Sequence, residues 1–461
     1  MRKIIALFIL LSMLASLVSC FGGDDVKADP AFVNEVAISE YSIVVGTEGT
    51  EYDKRAAEYI RDNIKASCGV ELGIVDDSTP EAQHEIVVGE TSRPISASLN
   101  EATEGLEFSF KAEGGNFALE GDYFIIAAAA YFFIDCYKFE GGSRITAEDT
   151  TIVREPIMKE AKNFIILIGD GMGLYQTKMF EYVENNVEYG DGEDIFYGYY
   201  LPYMGYSKTD SLSGTTDSAA GATAISCGTK TANGIVGCDA EGNVLTSLTE
   251  LAYYQGMAAA VMSTETKTGA TPAAFSSHTD SRNNTKEIGQ DQVEAKQKYG
   301  TIIDCGYNYY TEKYMETVIE KHITDTLAKL SENEKGFFLM YEEAYIDKHC
   351  YNNDFNYTMQ SLVRFNQAIA RFMEYAFYNP ETFVLITADH ETGDLRPNEK
   401  GELVFNQYDH SSANVPIFAY GDGAELFDGV EIENIQIGHT IASFMGRDDF
   451  GDQSVYQSLT K

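Results

Sequence analysis

The residues of this chain best suited to chemistry are acids, imidazoles and hydroxyls standing directly after short apolar runs. Residues 164–168 lead into Ile168-Gly169-Asp170-Gly171-Met172-Gly173, where flanking glycines let backbone approach Asp170 closely. Residues 337–341 lead into Glu342 and, five positions on, Asp347; residues 383–387 lead into Asp389 and His390. Four of the seven histidines lie between 349 and 439, His390 and His410 among them. Ser218 opens a run of small residues after Thr215-Thr216-Asp217, which would set its hydroxyl at the positive end of a tightly packed helix. Carboxylates with imidazoles suit zinc, and carboxylates with hydroxyls suit magnesium. Each signal alone has a plainer reading: a Gly-Asp-Gly turn, a capping box at Ser218, a capped turn at Asp389-His390. Converging at one sheet edge, so many adjacent anions would need cations to neutralise them.

The elements that must bring them together are buried strands. Apolar runs at 164–168, 258–262, 337–341 and 383–387 alternate with helical stretches, the pattern of an α/β fold with a central, mostly parallel sheet flanked by helices, here over 160–461. In such sheets ligands bind at the carboxyl ends of the strands, where these acids fall. Ahead of it, residues 32–155 read as a small α+β domain. It has strands at 43–45 and 85–89, a helix at 52–66 with Ala56, Ala57, Ile60 and Ile64 on one face, a hairpin-like region at 108–117 and a buried helix at 123–137. In EIVVGETSR and FALEGDYFIIAAAAYFFIDCY it resembles the accessory domain preceding the catalytic barrels of α-glucuronidases and β-hexosaminidases. It offers no acid/base pair, which reads as a spacer or docking module.

The charge narrows the partners. With 33 Lys and Arg against 72 Asp and Glu the net charge is −39, so nucleic acid and anionic membrane surfaces are excluded as partners of the body by long-range repulsion. Most of that acid reads as solvated surface. Residues 1–20 have the form of an export signal, with basic Arg2 and Lys3, an apolar run to Val18, and Leu17-Val18-Ser19-Cys20 resembling a bacterial lipobox. The expectation is an extracytoplasmic lipoprotein anchored to the bacterial cell membrane through lipidated Cys20, with 21–31 as tether; the alternative is a soluble secreted protein. The six other cysteines form no CxxC pair and read as core thiols, although export permits disulfides.

From about residue 162 to 446 the chain resembles alkaline phosphatases. The likeness rests on separated motifs in the family's order: IILIGDGMG, TTDSAAGATAISCGTKTANGIVGCD, ATPAAFSSHTDSR, EEAYIDK, ITADHETG and DHSSANVPIFAYG. The resemblance implies a phosphate-monoester hydrolase with two zinc ions and one magnesium, acting through a phosphoserine on small phosphate esters. It leaves a homodimer open. By position, Ser218 would be the nucleophile and a ligand of the second zinc, oriented by Asp217, and Arg282 would grip the phosphoryl oxygens. Asp170 would bridge the second zinc and the magnesium, Asp389 and His390 would complete that zinc, Thr271 and Glu342 would hold the magnesium, and Asp347 and His410 would ligate the first zinc. Lys348 would add a positive contact through water.

Two positions depart from the family's pattern. Tyr351 stands where a histidine, the third protein ligand of the first zinc, is usual, with His349 two residues earlier; the expectations are a loop shift bringing in His349 (favoured), weak ligation by Tyr351, or a degraded site. Gly269 stands two residues before Thr271, where Asp or His is usual, which removes a side chain near the magnesium. The competing readings are a phosphodiesterase or sulfatase on the same fold, against which Arg282 argues, and a degenerate surface lipoprotein that binds phosphorylated glycans.

Overall fold

The structure, a computed structural model, describes residues 29–99, 105–182, 195–306 and 312–452, with backbone only at 312–318. The export signal, Cys20 and most of the tether lie outside the described residues. The described residues divide into two compact units, one of those up to 158 with 373–380, the other of those in 159–372 and from 381 on. The first therefore includes a short piece of chain that the sequence reading gave to the second. No helix among the described residues is long and apolar enough to cross a membrane.

The first unit is built on a six-stranded sheet whose central strand pairs, Ser42–Val45 with Glu85–Val88 and Glu85–Val88 with Asn116–Glu120, are parallel. Its long helix, Glu51–Cys68, starts at a capping box in which Thr50 and Asp53 satisfy each other's backbone N–H, and it ends at Gly69 in the left-handed conformation. Ala56, Ala57, Ile60 and Ile64 are all buried on its inner side.

The second unit holds an eight-stranded sheet. Its strands in chain order are β1 (Asn163–Gly169), β2 (Tyr203–Lys208), β3 (Ala258–Ser263), β4 (Ile302–Cys305), β5 (Phe337–Glu343), β6 (Thr382–Thr387), β7 (Val415–Tyr420) and β8 (Glu431–Glu433). They lie side by side as β4-β3-β5-β1-β6-β7-β2-β8. Only β7 runs against the rest, pairing antiparallel with β6 and β2, so the sheet is mostly parallel, as the apolar runs imply. β5 and β6 are buried along their whole length and β1 from Phe164 onward, which is why these runs do not alternate: helices cover both faces.

Register fixes what reaches the carboxyl edge. Ile168 of β1 lies opposite Glu342 on one side and Thr387 on the other, and Ser263 of β3 lies opposite Glu342. The residues that leave β1, β3, β5 and β6 therefore emerge side by side. Helix α1 (Ser218–Cys227) is buried at all ten positions, because Ala, Gly, Ser and Thr let it pack closely against the helices Ala270–Ala274 and Ile435–Phe444. All six cysteines in the described residues are free; Cys68, Cys227, Cys238 and Cys350 are buried as core thiols, whereas Cys305 is half-buried and Cys136 is exposed.

Candidate active site

Helix α1 begins where its sequence says it should. The Asp217 carboxylate caps it, accepting from Ala220 N at 3.0 Å and from Gly234 N. The same carboxylate accepts from Arg282 Nη1 at 3.1 Å. One side chain thus fixes both the first residue of the helix, Ser218, and a guanidinium beside it. Nearly buried, Ser218 has its Oγ 3.2 Å from His390 Nε2.

The proton positions around His390 follow from its neighbours. Thr392 Oγ1 donates its single proton to Asp347 Oδ1 at 2.5 Å, so at 3.3 Å from His390 Nδ1 it accepts. His390 Nε2 then carries a lone pair, and burial, which lowers the imidazole pKa, keeps the ring neutral. That lone pair faces Asp170 Oδ1 at 3.4 Å and Asp389 Oδ2 at 3.5 Å, and neither oxygen has a hydrogen-bond donor. The other Asp389 oxygen is held by the backbone N–H groups of Gly171 and His390. Three buried acceptors therefore converge on one serine hydroxyl, which has a single proton to give. Buried acceptors left this way cost several kcal/mol, and a cation removes that cost. The donor set of imidazole, carboxylates and hydroxyl fits zinc.

A second group adjoins it. Asp347, His390 and His410 bring ligand atoms within 4.8 Å of one another. The two imidazole rings stack with centroids 3.6 Å apart. His410 Nδ1 donates to the Thr216 carbonyl at 2.7 Å, which turns the Nε2 lone pair toward Asp347 Oδ1 at 3.5 Å. Burial alone would lower the His410 pKa, but the Asp347 carboxylate carries it upward. Here the favoured expectation for the first zinc is corrected. His349 stacks on Tyr357 at 5.2 Å, while the Tyr351 hydroxyl lies 2.7 Å from His410 Nε2 and 3.3 Å from Asp409 Oδ1. The turn after Asp347 continues as helix through Cys350, and helical spacing puts position 351, not 349, on the face of Asp347. Burial and then the nearby carboxylates push the Tyr351 phenol well up, so it is a phenol and not a phenolate.

A third group is all oxygen. Ser263 Oγ donates to Glu342 Oε2, while Glu342 Oε1 and Thr271 Oγ1 are fully buried without a hydrogen bond of good geometry. Burial first, then Glu265, holds the Glu342 pKa well above the ordinary carboxyl range; Asp170 is raised likewise, by burial and then Asp389. These donors fit a hard cation such as magnesium. Gly171 makes the close packing possible: its φ is +74°, and a Cβ there would stand 2.9 Å from Asp347 Cα.

Apart from His349, the residues singled out from the sequence in this unit lie in or beside these groups. Sequence reasoning missed Thr392, two residues beyond His390 in the same motif, whose hydroxyl joins His390 to Asp347. It missed Glu265 too, where the visible sign was an acid three residues past the end of an apolar run.

A serine at a helix start, beside clustered acids and imidazoles on the carboxyl edge of a parallel sheet, is the arrangement of a phosphatase-type hydrolase. Comparison with known proteins agrees: the family described as alkaline phosphatase matches residues 161–306 and 303–402, just over half of the sequence, and the chain belongs to that family. Alkaline phosphatase 3 of Bacillus subtilis (strain 168) is 28% identical over 330 residues, 59% of this chain and 70% of that protein. Alkaline phosphatase of Escherichia coli (strain K12) is 26% identical over 388 residues, 62% and 82%. The solved alkaline phosphatase of the Antarctic bacterium TAB5 aligns with a TM-score of 0.54 at 26% identity, covering 62% of this chain and 99% of that one. A variant of the TAB5 enzyme, with Mg bound in its M3 site, aligns at 0.53 with 26% identity and covers 63% and 99%.

Proposed function

We propose that the chain hydrolyses phosphate monoesters through a phosphoserine at Ser218, with two zinc ions and one magnesium held by the three groups described. The observation that carries the reading is the meeting of Ser218 Oγ with the unprotonated His390 Nε2 and the donorless oxygens of Asp170 and Asp389. Zinc held there would supply a Lewis acid that lowers the serine pKa and takes up charge on attacking and leaving oxygens. Ser218 Oγ forms the new bond to phosphorus as the ester oxygen departs and takes a proton. Water then cleaves the phosphoserine, giving inorganic phosphate and restoring the hydroxyl. Asp217 holds Arg282 with one guanidinium nitrogen committed, which leaves the others to bind two phosphoryl oxygens. A monoester offers those oxygens and a charge to match; a diester offers less of both.

The test is selectivity. Loaded with zinc and magnesium, the chain should hydrolyse p-nitrophenyl phosphate at least about a thousandfold faster, as kcat/KM, than bis-p-nitrophenyl phosphate or p-nitrophenyl sulfate. That ratio corresponds to about 4 kcal/mol of transition-state discrimination. Comparable rates on diester or sulfate would overturn the monoester assignment.

Tyr351 bears on the first zinc. A neutral phenol beside His410 is a poor ligand, so Tyr351→His should supply the imidazole this position lacks. Zinc affinity at that site is expected to rise by at least about tenfold, since a direct ligand is worth no less than an outer hydrogen-bond partner. Competition with a chromogenic chelator measures it, and an unchanged affinity would show that position 351 does not face the metal.

A further inference from the structure

Gly269 leaves room beside the oxygen group, and that room is filled. A Cβ placed on Gly269 would lie 1.8 Å from Glu265 Oε1 and 2.2 Å from its Cδ, well inside van der Waals contact, so a side chain at 269 would displace the Glu265 carboxylate from its present place. Gly269 caps the short helix α2 (Ala270–Ala274) that carries Thr271, and Glu265 sits on the loop between β3 and α2.

Glu265 is tied to both neighbours of the group. Its Oε2 accepts from Lys348 Nζ at 2.6 Å, and its backbone N–H donates to Ser263 Oγ at 3.0 Å, the same hydroxyl that donates to Glu342. The Glu265 side chain is 17% exposed, so its charge is felt by what lies beneath. In the group itself, Glu342 Oε1 and Thr271 Oγ1 are fully buried and without a hydrogen bond of good geometry.

We propose that Glu265 takes the place of the side chain missing at 269 and acts as a positioning residue for magnesium at the Asp170, Thr271 and Glu342 oxygens. This rests on the metal assignment made under the proposed function. Magnesium keeps several of its waters when bound, and the Glu265 carboxylate is a fixed acceptor for them. It also neutralises Lys348, whose ammonium would otherwise stand unpaired beside a divalent cation. An outer carboxylate and an all-oxygen group favour a hard, hydrated ion over zinc. Gly269 is then a requirement of Glu265 rather than a loss.

The experiment measures magnesium binding to the zinc-loaded full chain by calorimetry, with metal content counted by mass spectrometry. Four proteins are compared: wild type, Glu265→Gln, Gly269→Asp and the double variant Glu265→Ala/Gly269→Asp. Glu265→Gln keeps the shape and removes the charge; it should weaken magnesium about 10- to 100-fold and leave two zinc ions per chain. Gly269→Asp alone should displace the Glu265 side chain with little change in melting temperature, whereas the double variant should regain magnesium affinity to within about threefold of wild type. Wild-type affinity in Glu265→Gln, or a double variant no better than Glu265→Gln, overturns this inference and leaves the metal assignment standing. A wild type that takes up zinc but no magnesium overturns both.

Discussion

Replacing Ser218 by alanine should lower kcat for p-nitrophenyl phosphate by at least about a thousandfold, with zinc content and melting temperature close to wild type. The loss is large because the hydroxyl is the bond-forming atom, and removing a nucleophile from a set of groups that act together costs far more than removing a contact. The structural cost is small. Ser218 makes one side-chain hydrogen bond, to His390, worth about 1 kcal/mol, and alanine suits a helix whose next residues are Ala219 and Ala220. His390 remains oriented through Thr392, and α1 remains capped by Asp217. Acid quenching during turnover should trap phosphate on the wild-type chain and none on the variant. A variant that keeps its rate would sink the serine mechanism.

The second large effect is on stability. Stripping the chain with a chelator should lower its melting temperature, and by more at pH 8 than at pH 5. Asp170 and Glu342 have raised pKa values because burial and neighbouring carboxylates penalise their anions. A carboxyl raised above its unfolded pKa, about 4, favours the fold at low pH, and that contribution is lost as pH climbs through the raised value. Between about pH 5 and pH 8 the stripped chain should therefore lose stability, while the loaded chain, whose anions are paired with cations, should not follow it down. A cation at about a thousand times its Kd adds about 4 kcal/mol per site, which at about 2–4 °C per kcal/mol is a rise of about 10 °C or more. Calorimetric scans with and without zinc and magnesium at both pH values check this. A melting temperature indifferent to chelator at pH 8 would mean the buried anions are satisfied some other way.

The parallel strands and the acids at their ends were legible because a strand buried on both faces must be apolar throughout, so Asp170, Glu342 and Asp389 stand out as the first residues past the core. Helix α1 was legible from its cap and its small residues. The antiparallel β7 was not, since residues 415–420 carry the same apolar signal whichever way the strand runs. Tyr351 and His349 show a different limit. Which of two residues faces Asp347 depends on whether the helix continues past it, and a sequence of polar and aromatic residues there does not say. Glu265 was hidden for a third reason: its role exists only in relation to the empty position at 269, four residues away, and counting side chains overlooks what a missing one makes room for.

The six free cysteines have a consequence for handling the protein. With no covalent crosslink among the described residues, the fold owes nothing to an oxidising surrounding, and a phosphine reductant should leave the melting curve where it is. A dithiol such as dithiothreitol is another matter, because it competes for zinc. The contrast between the two reagents would separate what the polypeptide contributes to its own endurance from what it borrows from its ions.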